Sequence, residues 1–198
     1  MKVSEVSCPV CGYKPIIMTQ QLYSVPFFNE IAMFHMECPK CHFSHNDVFA
    51  VEQQPPARWT LKVKTISDLS IRVIRSSSGT FTIPEFGIKV EPGPAADSFI
   101  SNVEGVLYRI MPAVEMAIKF AETDEAVMRG RTVLKMIHEA IEGKLEFTLI
   151  MEDPNGISSI LPDDLSKVKY EVLTPEEASK LKGSVIIFDD LKIEKEES

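Results

Sequence analysis

No cysteine occurs after residue 41, and the 198-residue chain holds only four histidines and one tryptophan. The first absence excludes a disulfide framework, because bridges among the first 41 residues would leave most of the chain unstapled. Scarce histidine limits the metal chemistry of the remainder. His35, His42 and His45 sit in or beside the N-terminal cysteine region, and His138 stands alone. The body therefore lacks the residues for a two-histidine, one-carboxylate Fe(II) site. No nucleophile–base pair is legible there either, and Asp163-Asp164 and Asp189-Asp190 read as solvated turns. The sequence thus reads as a non-enzyme. Apolar runs are short, far below the roughly 18 residues of a spanning helix. Met1-Lys2-Val3-Ser4-Glu5 leads into the cysteines with no apolar stretch of signal-peptide type, so a cytoplasmic location is expected. Positive charge is also in deficit: 21 Lys and Arg face 29 Asp and Glu, a net charge of −8. Affinity for polyphosphates comes from clustered cations, so a dedicated polyphosphate binder is disfavoured. The acid is uneven, with residues 1–64 at +1, residues 65–150 at −3 and residues 151–198 at −6.

What is present is concentrated at the N-terminus. Cys8-Pro9-Val10-Cys11-Gly12 and Cys38-Pro39-Lys40-Cys41-His42 are two Cys-x-x-Cys pairs separated by 26 residues. Two intervening residues let both sulfurs of a pair face one cation, and two such knuckles close a tetrahedral thiolate site of the kind Zn²⁺ accepts. Cys8, Cys11, Cys38 and Cys41 are the expected ligands. Four thiolates leave no open position for a reacting water, so the role of the metal is structural. Spacing alone leaves a four-thiolate iron–sulfur cluster open. His42 and His45 read as surface residues beside the second knuckle. Residues 22–25 and 31–36 read as short strands of a hairpin between the knuckles.

Gln53-Gln54-Pro55-Pro56 marks a linker, after which the pattern changes. Residues 1–53 form the expected finger and residues 54–198 the β domain. Short alternating runs at 61–65, 71–75, 80–83 and 88–90 predict an antiparallel sandwich or barrel. Ser76-Ser77-Ser78-Gly79 reads as a hairpin turn between two of them, since it lacks the pattern of a phosphate loop. A helical hairpin is inserted at about 100–143. Val103, Leu107, Ile110, Val114, Ile118 and Ala121 form one apolar stripe. Val127, Gly130, Leu134, Ile137 and Ile141 form the other, with the join near Thr123-Asp124. Pro112 is expected to kink or split the first helix. Strands return at 145–151, 158–160 and 185–188, with a turn at Asp153-Pro154-Asn155-Gly156 and a helix start at Pro175-Glu176-Glu177.

Taken together, these segments resemble one module of the ZPR family of zinc-finger proteins. The resemblance rests on both knuckles, on Val25-Pro26-Phe27-Phe28-Asn29-Glu30 between them, and on Asp68-Leu69 followed by Val73-Ile74-Arg75-Ser76. Ile83-Pro84-Glu85-Phe86, Asn102-Val103-Glu104-Gly105-Val106-Leu107 and Glu152-Asp153-Pro154-Asn155-Gly156 complete it. It implies a mainly β fold: a four-cysteine zinc ribbon joined to a double-stranded β-helix-like antiparallel domain that carries a helical hairpin. Eukaryotic members have two tandem modules, and this chain looks like the single-module archaeal form. The implied partner is the GTP-dependent elongation factor that delivers aminoacyl-tRNA, bound and assisted in folding. Where many members have Gly-Asn-Ser after the Asp-Pro pair, this chain has Gly156-Ile157-Ser158.

The candidate partner surface is Tyr23, Pro26, Phe27 and Phe28, since aromatics on a small rigid module can act as anchors. The competing reading places Phe27 and Phe28 in the finger's own small core. A second functional class, nucleic-acid binding through the ribbon, has only the scattered Lys2, Lys14, Lys40, Arg58, Lys62 and Lys64 to draw on.

Overall fold

The computed structural model describes residues 2–4, 6–25, 29–50, 52, 54–93 and 96–181. The N-terminal sheet runs in sequence order: β1 (Lys2–Ser4), β2 (Ile16–Val25), β3 (Asn29–Glu37) and β4 (Ser44–Ala50), all antiparallel. The expected hairpin is there and is longer than the pattern suggested, with Ile17 opposite Glu37 and Val25 opposite Asn29. Strands β1 and β4, which flank it, were not legible. Strand β4 opens on the polar run Ser44-His45-Asn46-Asp47 and its burial shows no clean alternation.

The body is also antiparallel. In chain order it contains β5 (Ala57–Val63), β6 (Arg72–Arg75), β7 (Thr80–Ile83), β8 (Ile88–Val90) and β9 (Phe99–Asn102). Then come α1 (Val103–Lys119), α2 (Asp124–Ile141), β10 (Phe147–Asp153), β11 (Ser159–Leu161), β12 (Val168–Val172) and α3 (Pro175–Ser179). One sheet has the order β12-β5-β10-β7-β8 and the other β11-β6-β9. The fold is mainly β with inserted helices, as expected. Strand β12 is not legible although Val168, Tyr170 and Val172 alternate, because the stretch around it is acidic, and β9 stands where the helical insertion is expected to begin. The strand expected at 185–188 and the charged tail lie outside the described residues.

Two further expectations change. Pro112 does not split α1, which runs from Val103 to Lys119. Proline removes one helix bond and crowds the turn before it, and Pro112 faces solvent, where water can take the freed carbonyl. Core packing covers only part of the helical stripes. Val103, Val106, Leu107 and Ile110 of α1 and Ile137 and Ala140 of α2 are buried, whereas between 111 and 136 no residue is. The far half of the hairpin packs on itself, with Gly130 set so tightly against Ile118 that a Cβ there would collide with that side chain. Thr123 caps α2 as expected, its Oγ accepting from the Ala126 N–H at 3.2 Å.

Residues 76–79 are not a hairpin turn, because β6 and β7 belong to different sheets. They form a corner, and a buried carboxylate holds it. Strand β10 turns Phe147, Leu149, Met151 and Asp153 inward by its period of two, so the Asp153 side chain is carried into the core at 0% exposure. There it accepts from the hydroxyls of Ser76 (2.6 Å), Ser78 (2.7 Å) and Ser158 (2.6 Å). The N–H groups of Asn155 and Ser158, each at 2.8 Å, complete its shell. A buried charge is tolerated only when its hydrogen bonds are made, and here five donors make them. Beside it, Arg75 is 6% exposed; its Nε donates to the Gly79 carbonyl at 2.9 Å and its guanidinium lies over the rings of Phe81 and Phe99. Gly156 takes a left-handed φ of +66°, and a Cβ on it would strike the Pro55 carbonyl of the linker.

Removing one member of such a network strands the others without partners. Asp153→Ala is therefore expected to lower unfolding stability by about 3–5 kcal/mol in urea titration. Asp163→Ala, at an exposed turn, should stay within about 0.5 kcal/mol of the parent. Equal effects of the two would remove Asp153 from this role.

Candidate metal centre

The two knuckles fold alike. In the first, the Cys8 N–H donates to the Tyr13 carbonyl (2.8 Å) and the Gly12 N–H to the Cys8 carbonyl (2.9 Å). In the second, the Cys38 N–H donates to the Phe43 carbonyl (2.8 Å) and the His42 N–H to the Cys38 carbonyl (2.9 Å). Each turn reverses at the residue after its second cysteine, which must adopt left-handed backbone: Gly12 at φ +68° and His42 at φ +57°. Knuckle one leads into β2, and knuckle two joins β3 to β4. The pairing of β2 with β3 then brings the turns together at one end of the sheet.

There the sulfurs of Cys8, Cys11, Cys38 and Cys41 all lie within 4.8 Å of one another. The Cys8–Cys41 and Cys11–Cys38 sulfurs are each 3.6 Å apart. Four sulfurs at 2.3 Å from a common centre in a tetrahedron would be about 3.8 Å apart, so the set fits a zinc ion. Among the described residues no other group of three or more His, Cys, Asp or Glu gathers its ligand atoms in this way. Cys8 and Cys38 are buried, Cys11 is half-buried and Cys41 is exposed. Ile16 is the one buried side chain beside them in this small core, with Met18, Met36 and Phe43 packed around.

Electrostatics require a cation here. Burial raises the Cys38 thiol, but the N–H groups of Cys41 and Lys40 and the neighbouring sulfurs outweigh it and bring it down to about 6. The Phe43 N–H lowers Cys41, yet burial and the three surrounding sulfurs prevail and push it up to about 12. One thiolate is readily accommodated; four side by side repel unless a cation sits among them.

The histidines are engaged elsewhere or stand clear of the cluster. His35 Nδ1 lies 2.9 Å from Asn46 Oδ1, His45 Nδ1 lies 2.7 Å from Asp97 Oδ1, and His42 is exposed. The His45 contact is one of three that seat β4 on the body. The Ser98 N–H donates to the Asn46 carbonyl (3.2 Å), and Ser98 Oγ donates to Asp47 Oδ1 (2.7 Å). Ile31 and Val48, at 0% and 1% exposure, continue into the core of the body. The finger is thus anchored at one end by apolar packing and closed at the other by its cysteines.

Of the candidate partner residues, Tyr23 lies on β2 and is 39% exposed, with its hydroxyl donating to Gln21 Oε1 at 2.6 Å. Pro26, Phe27 and Phe28 lie outside the described residues. The structure adds Leu22 beside Tyr23, and Met116, Phe120 and Met128 near the end of the helical hairpin, all exposed. Their signal was in the sequence: Met116 and Phe120 are four apart and off the apolar stripe, hence on the outer face of the helix.

Residues 2–56 match the ZPR1 zinc-finger domain and residues 67–182 the ZPR1 jelly-roll domain. The chain belongs to the ZPR1 family. It is 40% identical over 188 residues to an uncharacterized ZPR1-like protein of Methanocaldococcus jannaschii, covering 94% of this chain and 93% of that protein. A second archaeal ZPR1-like protein, from Pyrococcus horikoshii, is 40% identical over 95% of the chain and 86% of its own length. The zinc finger chaperone zpr1 of Schizosaccharomyces pombe is 30% identical over 75% of the chain, which spans 33% of that longer protein. The cofactor of the ZPR1 finger is Zn²⁺, and the four-thiolate donor set fits it.

The shared knuckle backbone makes a prediction. Gly12→Ala meets no neighbour within 4 Å, so its cost is conformational alone. It should destabilise the zinc-loaded chain by about 1 kcal/mol in thermal unfolding. His42→Gly relaxes the same backbone strain in the second knuckle and should leave stability unchanged or up to about 1 kcal/mol higher. A loss on His42→Gly equal to that on Gly12→Ala would show that the His42 side chain itself supports the knuckle.

Proposed function

We propose that this chain is a non-enzymatic, zinc-stabilised protein-binding module of chaperone type. Its client is the GTP-dependent elongation factor that delivers aminoacyl-tRNA. In this reading Cys8, Cys11, Cys38 and Cys41 are the zinc ligands. Residues 1–53 are the finger, and residues 54–198 are the β domain with its hairpin at about 100–143. The carrying observation is the exposed apolar surface on two elements. Leu22 (56%) and Tyr23 (39%) lie on the finger hairpin, and Met116 (61%), Phe120 (72%) and Met128 (68%) lie on the helical arm. Large apolar side chains left in water mark interaction sites, and methionine adapts to varied partner surfaces. The chaperone name of the Schizosaccharomyces pombe relative supports the class of function. The identity of the client rests on the family resemblance. A site closed by four thiolates has no position for substrate, which supports the non-enzymatic reading.

Calorimetric titration of the zinc-loaded chain into the elongation factor of the same organism, with GDP and then GTP bound, tests this reading. Binding whose affinity differs between nucleotides is expected. The Cys38→Ser chain, expected to hold no zinc, should bind at least tenfold more weakly. No binding in either nucleotide state, with zinc content verified, would contradict the proposed client. Stoichiometric zinc in the Cys38→Ser chain would contradict the ligand assignment.

A further inference from the structure

The cysteines of the metal centre divide by exposure. The first cysteine of each pair is buried, Cys8 at 3% and Cys38 at 0%, while the second is more open, Cys11 half-buried and Cys41 exposed. The sulfur of the more open residue in each knuckle lies 3.6 Å from that of the buried residue in the opposite knuckle: Cys41 faces Cys8, and Cys11 faces Cys38. The chain holds no cysteine beyond these four, so any disulfide must form within the cluster. We propose that Cys41 is a peroxide-oxidation site and that the zinc centre opens through a disulfide between the knuckles, Cys8–Cys41 first.

The chemistry balances with a peroxide as the oxidant. The Cys41 thiolate attacks one peroxide oxygen, the O–O bond breaks, and hydroxide leaves, so that Cys41 becomes a sulfenic acid. The Cys8 thiolate then attacks the Cys41 sulfur and expels a second hydroxide as the S–S bond forms. Two thiolates have lost two electrons in all, the peroxide has gained them, and solvent protons neutralise the two hydroxides. Two thiolates remain at the site, too few to retain zinc in a structural setting. Thiolates react according to their access to solvent as well as their charge, which makes Cys41 the entry point.

The consequence is local. Around the cysteines the small core has Ile16 as its one buried non-cysteine side chain, with Met18, Met36 and Phe43 at its margin. The other end of the same strands is held by Ile31 and Val48 in the main core and by the Ser98 and Asp97 contacts to β4. Oxidation would therefore free the knuckle end and uncover these apolar side chains while the finger stays attached to the body.

This inference rests on the four-thiolate reading, and the experiment separates the two. Zinc content of the full-length chain is measured first, and a chain that holds no zinc fails the four-thiolate reading itself. The zinc-loaded chain is then treated with hydrogen peroxide, released zinc is followed with a chromogenic chelator, and disulfides are mapped by non-reducing peptide mass spectrometry. The expected result is release of one zinc per chain with Cys8–Cys41 as the first linked pair, reversed by dithiothreitol and zinc. Zinc retained under peroxide, or release with Cys8–Cys11 and Cys38–Cys41 as the linked pairs, would overturn the inference and leave the four-thiolate reading standing. Alkylation of the zinc-loaded chain without oxidant gives a second readout. Cys41 should react at least about tenfold faster than Cys8 or Cys38, and equal rates would overturn its role as the entry point.

Discussion

Four sulfurs held within 4.8 Å of one another are the constraint on which the N-terminal finger of this protein depends. Thiols in that arrangement resist joint ionisation, as the opposed shifts of Cys38 and Cys41 express. A divalent cation turns that repulsion into attraction, and its binding free energy then becomes folding free energy for a module with almost no core of its own. The matching knuckle turns, the left-handed backbone at Gly12 and His42, and the long β2–β3 pairing all serve to bring those sulfurs together.

The body solves a different problem with a buried charge. Asp153 ties the corner at Ser76 and Ser78, where the chain leaves one sheet for the other, to the turn at Asn155 and Ser158, where it crosses back. Gly156 gives the linker room to pass directly over that turn, and Arg75 reaches from the same corner to the Asp97 carbonyl at 3.3 Å. Asp97 in turn meets His45 of the finger. The polar core of the body and the seat of the finger are therefore built on adjoining residues, which makes the orientation of the finger depend on the body being folded.

Legibility from the sequence followed the physical source of each feature. The cysteine knuckles could be read because metal coordination fixes both residue type and spacing. The paired helices could be read because their stripes repeat every three to four residues. Strands β1, β4, β9 and β12 are not legible, since each lies at the edge of its sheet and an edge strand needs little burial and so carries little alternation. The corner at 76–79 reads as a hairpin turn because a serine-rich turn looks the same whether its hydroxyls face water or a carboxylate 75 to 77 residues away. Asp153 was visible as part of a turn motif but not as a buried ligand for three serines. That role depends on its place in the inward row of β10, and on a partner corner that only the tertiary fold supplies. The helical stripes read as core-facing throughout, yet no residue between 111 and 136 is buried, because the period of a stripe says which residues align but not how far the core extends to meet them.

Hydrogen exchange on the full-length chain, zinc-loaded and then stripped by a chelator, tests most directly the claim that metal closes one end of the finger while the body anchors the other. Loss of protection is predicted at amides 16–20 and 34–37, with Ile31, Val48 and strands β5 and β10 remaining protected. Uniform loss across the chain, or no loss beside the cysteines, would contradict it.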